Sequence, residues 1–190
     1  MISVSGKIWT EQKVNKNLVE KFKQDYGLGD VLSKLIISRN YDSSEIYGIN
    51  NKQKLINIFK DDKDFQKAYP ILLKAINNNQ NICILGDYDV DGACSTSLLV
   101  RYFNYINQKH FFYIPDRTED GYGASKKLFQ KLILKKPKLV IMVDCGSTSN
   151  EAIEFLKQHD IKSIIIDHHE INKPYPKSDI IINPKKDNNN

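Results

Sequence analysis

The sequence predicts an α/β fold built on an open, mainly parallel sheet, preceded by a small helical N-terminal region. Two observations carry this expectation. From residue 80 onward the chain repeats one rhythm: a short apolar run ends in Gly, Asp or Ser, and a stretch with helical spacing follows, as in βαβ units. The apolar runs are also continuous, as in Leu139-Val140-Ile141-Met142-Val143 and Ile180-Ile181-Ile182. Unbroken runs of this kind mark strands covered on both faces, since a half-buried strand would alternate.

The elements follow in order. Residues 1 to about 60 alternate polar and short apolar stretches, with helical spacing at Leu18 and Phe22 and at Leu32, Leu35 and Ile36, so small helices and loops are expected. A helix over Lys63–Asn77 places Phe65, Ala68, Leu72, Ala75 and Ile76 on one face. Pro70 lies inside it, where the missing N–H should kink or restart the helix. The first strand is Ile82–Leu85, followed by a helix from about Ala93 to Tyr105 that buries Leu98, Leu99, Tyr102 and Phe103. The second is Phe111–Ile114, stopped by Pro115, with a helix from about Ser125 to Leu134. The third is Leu139–Val143, and Thr148 and Glu151, at capping-box spacing, announce its helix with Ile153, Phe155 and Leu156. Ser163–Ile166 is the fourth strand, and a short fifth, Ile180–Ile182, is closed by Pro184.

Composition narrows the class. At 190 residues, 41% hydrophobic and 10% aromatic, the chain can bury an ordinary core, which suits one domain with an appendage. A net charge of +5 suits a polyanionic partner. Cys83, Cys94 and Cys145 are far apart, odd in number and not arranged as CxxC, so they argue against a disulfide framework and a structural zinc site. They read as small buried hydrophobes in a reducing compartment. No apolar run reaches the roughly 18 residues of a spanning helix, and no charged segment leads into an apolar one at the N-terminus. A cytoplasmic protein without membrane association is expected.

The chemistry concentrates at the strand ends, where open α/β sheets bind their ligands. After the first strand comes Gly86-Asp87-Tyr88-Asp89-Val90-Asp91-Gly92, after the third Asp144-Cys145-Gly146, and after the fourth Asp167-His168-His169-Glu170. Carboxylates that converge on one site repel each other unless a cation neutralises them. Oxygen ligands with one or two imidazoles suit Mn²⁺ or Mg²⁺ better than a thiol-seeking metal, and two such ions could activate water against a phosphodiester. A calcium EF-hand loop is excluded, because the twelfth position counted from Asp87, where its Glu belongs, is Leu98. Tyr88, Tyr113 and Tyr122 are candidates to stack on unpaired bases.

These three strings resemble the first three motifs of the DHH phosphoesterases. Within that family, the Gly-Asp-Tyr-Asp-x-Asp-Gly form, Ile114-Pro115-Asp116-Arg117 with Gly121-Tyr122-Gly123, and Ile182-Asn183-Pro184-Lys185 are similar to the RecJ-type branch, as is the position of Trp9. Manganese pyrophosphatases and short-oligonucleotide phosphodiesterases of the family carry a histidine where this chain has Leu85. The resemblance implies a Rossmann-like DHH domain over residues 80–190, incomplete at its C-terminal end, after an N-terminal helical region over 1–79. It implies that Asp89, Asp91, Asp144 and His168 hold two Mn²⁺ or Mg²⁺ ions, with Asp87 as a support or further ligand. His169 would face the scissile phosphate, making His169, Asp144 and Asp89 the catalytic set. Arg117, Tyr122 and Gly123 would lie along the substrate path. The implied activity is 5′-to-3′ exonuclease action on single-stranded DNA in recombination and repair, with a single-strand-binding protein and a helicase as partners. The alternatives are hydrolysis of oligoribonucleotides or cyclic dinucleotides, and a catalytically silent metal- or DNA-binding module. The family's fourth motif falls beyond Asn190, so the chain is expected to be the N-terminal part of a longer protein, with activity impaired in its absence.

Overall fold

A strand such as Leu139–Val143, apolar at every position, needs a covering layer on each side. The computed structural model supplies both. It describes residues 3–8, 10, 12–51, 57, 59–121 and 123–186, so Trp9 and Tyr122 lie outside the described residues. The chain divides into two compact units, Met1–Asn57 and Ile58–Asn190.

The first unit carries three helices, α1 (Lys16–Tyr26), α2 (Asp30–Ser38) and α3 (Ser43–Asn50). Asn15 caps α1 by accepting the backbone N–H groups of Asn17 and Leu18, and Gly27 ends it in the left-handed region. Asp42 and Glu45 form a reciprocal capping box at α3, with bonds of 2.7 and 2.9 Å. The helical spacing expected here is present, but the buried residues are Val19 and Ile36 with Ile46, while Leu18, Leu32 and Leu35 remain exposed.

The second unit begins with α4 (Lys63–Asn77), which the sequence groups with the N-terminal region and which packs here on the sheet at its β5 edge. The helix runs through Pro70 without a restart; Pro70 is exposed, which leaves the unpaired Gln66 carbonyl turn on the outer side. Five parallel strands follow: β1 (Ile82–Leu85), β2 (His110–Tyr113), β3 (Leu139–Val143), β4 (Lys162–Ile166) and β5 (Ile180–Ile182), in the order β2-β1-β3-β4-β5. Helices α5 (Val90–Tyr105), α6 (Lys126–Leu132, continued as a 3-10 turn over Ile133–Lys135) and α7 (Asn150–Gln158) make the first three crossovers. No helix joins β4 to β5.

Alternate residues of each strand feed opposite layers. Cys83, Leu85, Val140, Met142, Ile165 and Ile181 pack with Leu128, Phe129, Ile153 and Leu156 of α6 and α7. Ile82, Ile84, Leu139, Ile141, Val143, Ile164 and Ile180 pack with Ala68 and Ala75 of α4 and Phe103 of α5. This is the doubly wound α/β architecture the sequence predicts. Two local expectations are corrected. On α5, Phe103 is buried but Leu98 and Tyr102 are 69% and 51% exposed, because α5 shows the sheet only the face of Thr96, Leu99 and Phe103. The capping box at α7 does not form: Ser149 is the N-cap, and no side chain bonds the first turn. Cys83 and Cys145 are buried, and Cys94 on α5 is exposed. Among the described residues, no helix is long and apolar enough to cross a membrane.

Candidate metal centre

The strand order reverses at β1: β2 lies on one side of it and β3 on the other. Loops leaving such a pair diverge and open a crevice at the carboxyl ends of the strands. Asp87 follows β1 and Asp144 follows β3, so both acids enter this crevice. Asp167, His168 and His169 arrive beside them from β4, paired in register with β3 through Val143 and Ile166.

Two glycines bring α5 tightly against the end of β1. A Cβ at Gly92 would stand 2.3 Å from the Asp87 carbonyl oxygen and 2.5 Å from its nitrogen, and one at Gly86 would stand 2.0 Å from Thr96 Oγ1. The Gly-x5-Gly spacing is therefore a packing requirement, and it sets the acids between the glycines at the mouth of the crevice. Helix α5 begins at Val90, earlier than the sequence suggests, because Asp89 is its N-cap and accepts the Gly92 N–H at 3.0 Å. Asp87 is buried, with a carboxylate oxygen 2.7 Å from the Tyr88 N–H.

Asp144 is the centre of the arrangement. Its backbone is left-handed, φ +60, a conformation that Asp and Asn tolerate better than most residues. Candidate ligand atoms of Asp87, Asp89 and Asp144 lie within 4.8 Å of one another, and so do those of Asp144, His168 and His169. Asp144 Oδ1 lies 3.0 Å from His168 Nε2. Its Oδ2 is buried without a hydrogen-bond partner. Burial and the adjacent Asp89 carboxylate push the Asp144 carboxyl up to about 6, against the opposing pull of the two histidines. Asp89 is held below the usual carboxylate range, first by the Gly92 N–H. A buried carboxylate with one unpartnered oxygen, clustered with two more carboxylates and two imidazoles, is costly on its own, and a hard divalent cation would satisfy these groups. The residues present fit Mn²⁺ or Mg²⁺. Asp91, on the exposed first turn of α5, is in neither cluster.

A layer of support lies behind these groups. Asp167 is buried; one of its oxygens accepts the backbone N–H groups of His168 and His169 and sits 2.8 Å from His169 Nδ1, and the other accepts the Ser147 N–H at 3.0 Å. Burial pushes Asp167 up, but these hydrogen bonds prevail and hold it below the usual range. The contact in turn raises His169. A carboxylate on Nδ1 fixes the ring's orientation and tautomer. Asn183, after β5, bonds Ser147 Oγ at 2.8 Å and the His169 carbonyl at 3.0 Å. Asp167 and Asn183 stand in strings that the sequence marks out, but without a role of their own, and Ser147 stands in none. The available signal for Asp167 was an acid closing a buried strand immediately before two histidines.

The expected substrate residues lie on the connection from β2 to α6. Arg117 stands over the Tyr88 ring, 5.3 Å from its centroid, which places the guanidinium beside the first acidic loop. Asp120 braces this connection, accepting from Tyr113 Oη at 2.6 Å, Lys131 Nζ at 2.8 Å and the Asp116 N–H at 3.2 Å. Tyr113 thus braces this connection and packs half-buried against the core on the α6 side of the sheet. Gly123 has φ +67 and is buried.

Comparison with known proteins agrees with this geometry. The family described as "DHH family, N-terminal domain" matches residues 81–190. The single-stranded-DNA-specific exonuclease RecJ of Bacillus subtilis (strain 168) is 27% identical over 180 residues, 94% of this chain and 23% of that protein. The protein of the same name from Escherichia coli (strain K12) is 34% identical over 120 residues, 63% of this chain and 21% of that protein. The chain thus spans about a quarter or less of the length of these relatives. A crystal structure of exonuclease RecJ bound to manganese superposes with a TM-score of 0.62 at 29% identity, over 67% of this chain and 33% of the other. RecJ of Thermus thermophilus in complex with Mn²⁺ shares the fold, with a TM-score of 0.61 at 21% identity over 90% of this chain and 24% of the other. The chain belongs to the DHH family, as a RecJ-like domain matching the N-terminal part of longer proteins.

Proposed function

We propose that this chain is the metal-binding part of a phosphodiester hydrolase that removes nucleotides from the 5′ end of single-stranded DNA in recombination and repair. The observation that carries the proposal is the convergence of Asp87, Asp89, Asp144, His168 and His169 from three strand ends into two clusters that share Asp144, one of whose carboxylate oxygens is buried and unpartnered. Relatives named as single-stranded-DNA-specific exonucleases support the choice of substrate.

Asp89, Asp144 and His168, with Asp87, would hold the divalent ions, and Asp91 would join them by a change of side-chain rotamer. When bound, the ions supply a water of lowered pKa and a counter-charge for the phosphoryl oxygens. In the reaction the water oxygen bonds to phosphorus, the bridging P–O bond breaks, and the departing oxygen takes a proton. His169, its Nδ1 engaged by Asp167, is oriented to give that proton or to bond the phosphoryl oxygen as charge develops. Arg117 would pair with a strand phosphate, and Tyr122 and Gly123 would contribute to holding the strand. A single-strand-binding protein and a helicase would present the strand.

The test couples calorimetric titration of the chain with Mn²⁺ to single-turnover cleavage of an oligonucleotide labelled at its 3′ end. Mn²⁺ binding that Asp144→Asn abolishes, with metal-dependent loss of nucleotides from the 5′ end that Asp89→Ala abolishes, is expected. Absence of Mn²⁺ binding at millimolar metal, or cleavage that survives both substitutions, overturns the proposal. Faster hydrolysis of a dinucleotide than of a long strand replaces the substrate with the short-oligonucleotide class.

A further inference from the structure

The margin of the sheet opposite the metal centre is lined with lysines. Four of them, Lys109, Lys135, Lys136 and Lys138, lie just before β2 and β3 and are exposed. Their register is fixed by the sheet: the Ile82 N–H bonds the Lys109 carbonyl, and the Lys138 N–H bonds the Asn81 carbonyl. Lys109 and Lys138 thus flank Asn81 at the feet of three adjacent strands, about 10 Å apart by the usual strand spacing. Lys162, the first residue of β4, continues the row and is paired with Asp179 at 2.7 Å. The other four form no ion pair with a carboxylate among the described residues.

The backbone that carries these lysines is pinned. The buried Gln108 side chain donates to the Gln80 and Lys109 carbonyls at 2.6 and 2.8 Å, and Asn81 Nδ2 donates to the Lys135 carbonyl at 2.7 Å. Lys135 also rests over the Phe111 ring, 4.9 Å from its centroid. Tyr105, at the end of α5 and four residues before Lys109, is 86% exposed, and Leu134 beside Lys135 is 79% exposed. A cluster of unpaired cations costs free energy through mutual repulsion unless a polyanion answers it. Exposed aromatic and apolar groups among the cations select a polyanion with bases to stack.

We infer that this margin, formed by Lys109, Lys135, Lys136, Lys138 and Tyr105, is a second nucleic-acid contact that holds single-stranded DNA or RNA away from the metal centre. It goes beyond the proposed hydrolysis. Strands β1 to β4 are four or five residues long, so the two margins are separated by about 15 Å. A strand engaged here binds without metal and without exposing a phosphate to the acids.

The experiment measures fluorescence anisotropy of a labelled oligothymidylate with the chain, in EDTA, over a range of salt concentrations. Lys109→Gln/Lys136→Gln/Lys138→Gln should weaken binding at least tenfold and lower the slope of log affinity against log salt by about 2, three contacts at about 0.7 each. Lys16→Gln/Lys21→Gln/Lys63→Gln, which removes the same charge elsewhere, should leave affinity near that of the unmodified chain. Tyr105→Ala should weaken binding without changing the slope. Equal loss in the two lysine triples, full affinity in the margin triple, or tighter binding of polyglutamate than of the oligonucleotide overturns the inference. Because the assay excludes metal, its outcome is independent of the Mn²⁺ titration on which the proposed hydrolysis stands.

Discussion

Substituting alanine for Gly92 sets helix propensity and packing against each other. Within a helix, Gly→Ala stabilises by about 1 kcal/mol on propensity alone. Here the added Cβ meets Asp87 O at 2.3 Å where ordinary contact begins at 3.4 Å, an overlap of 3.4 − 2.3 = 1.1 Å. Asp87 N and C stand at 2.5 and 2.6 Å, so the obstacle is backbone and cannot rotate away. Overpacking of this kind costs about 1–3 kcal/mol, and rigid neighbours put the cost at the upper end. The net expectation is destabilisation by about 2 kcal/mol, which lowers the melting temperature of a chain this size by about 4–8 °C. The available relief is a shift of the α5 N-terminus away from β1, which moves the Asp89 carboxylate, bonded to the Gly92 N–H, away from Asp87 and Asp144. Mn²⁺ affinity should therefore fall at least tenfold. Urea denaturation and calorimetric Mn²⁺ titration measure both effects. A variant as stable as the unmodified chain, with unchanged Mn²⁺ affinity, would refute the role assigned to this glycine.

Asp144→Asn should abolish Mn²⁺ binding and yet raise metal-free stability at pH 7.5. Burial and Asp89 push this carboxyl up to about 6, above its unfolded value, so ionising it costs stability: the loss sets in above about pH 4 and is complete above about 6. Thermal melts in EDTA at pH 5 and 7.5 check this, the gain being larger at the higher pH. Asp167→Asn should cut Mn²⁺ affinity about 10–100-fold and move the His169 imidazole back toward its ordinary pKa, followed by NMR titration. Asp120 is held down to about 2, first by Lys131 and then by Tyr113, so its stabilisation is complete above about pH 4 and lost as pH falls through 2. Asp120→Asn should accordingly lower stability at pH 7 and narrow its difference from the unmodified chain below pH 4, read by denaturant titration.

Much of the fold was legible because the apolar runs and the strands are the same segments. Ile82–Leu85, Leu139–Val143 and Ile180–Ile182 have the expected bounds, as does Lys63–Asn77. Less legible were features set by neighbours. Gly92 reads as a loop residue, which hides the first turn of α5; only the approach of Asp87 explains a glycine inside a helix. Leu98 and Tyr102 read as core, since one sequence does not show that β2 lies at the sheet edge and leaves that side of α5 uncovered. The clustered Asp and His residues were visible by their place after strands. Ser147, Asp167 and Asn183 were not assigned roles, because their hydrogen bonds depend on the alignment of β3, β4 and β5, which no short motif records.

The backbone at Asp144 carries a consequence for descent. The position asks for a carboxylate on chemical grounds and, at φ +60, for Gly, Asn or Asp on conformational grounds. Glutamate, although it keeps the charge, meets only the first demand. A lineage that abandoned the proposed hydrolysis would therefore drift here among Gly, Asn and Asp under selection for folding alone. Asparagine in such a descendant records the lost reaction, whereas retained aspartate does not by itself record a living one.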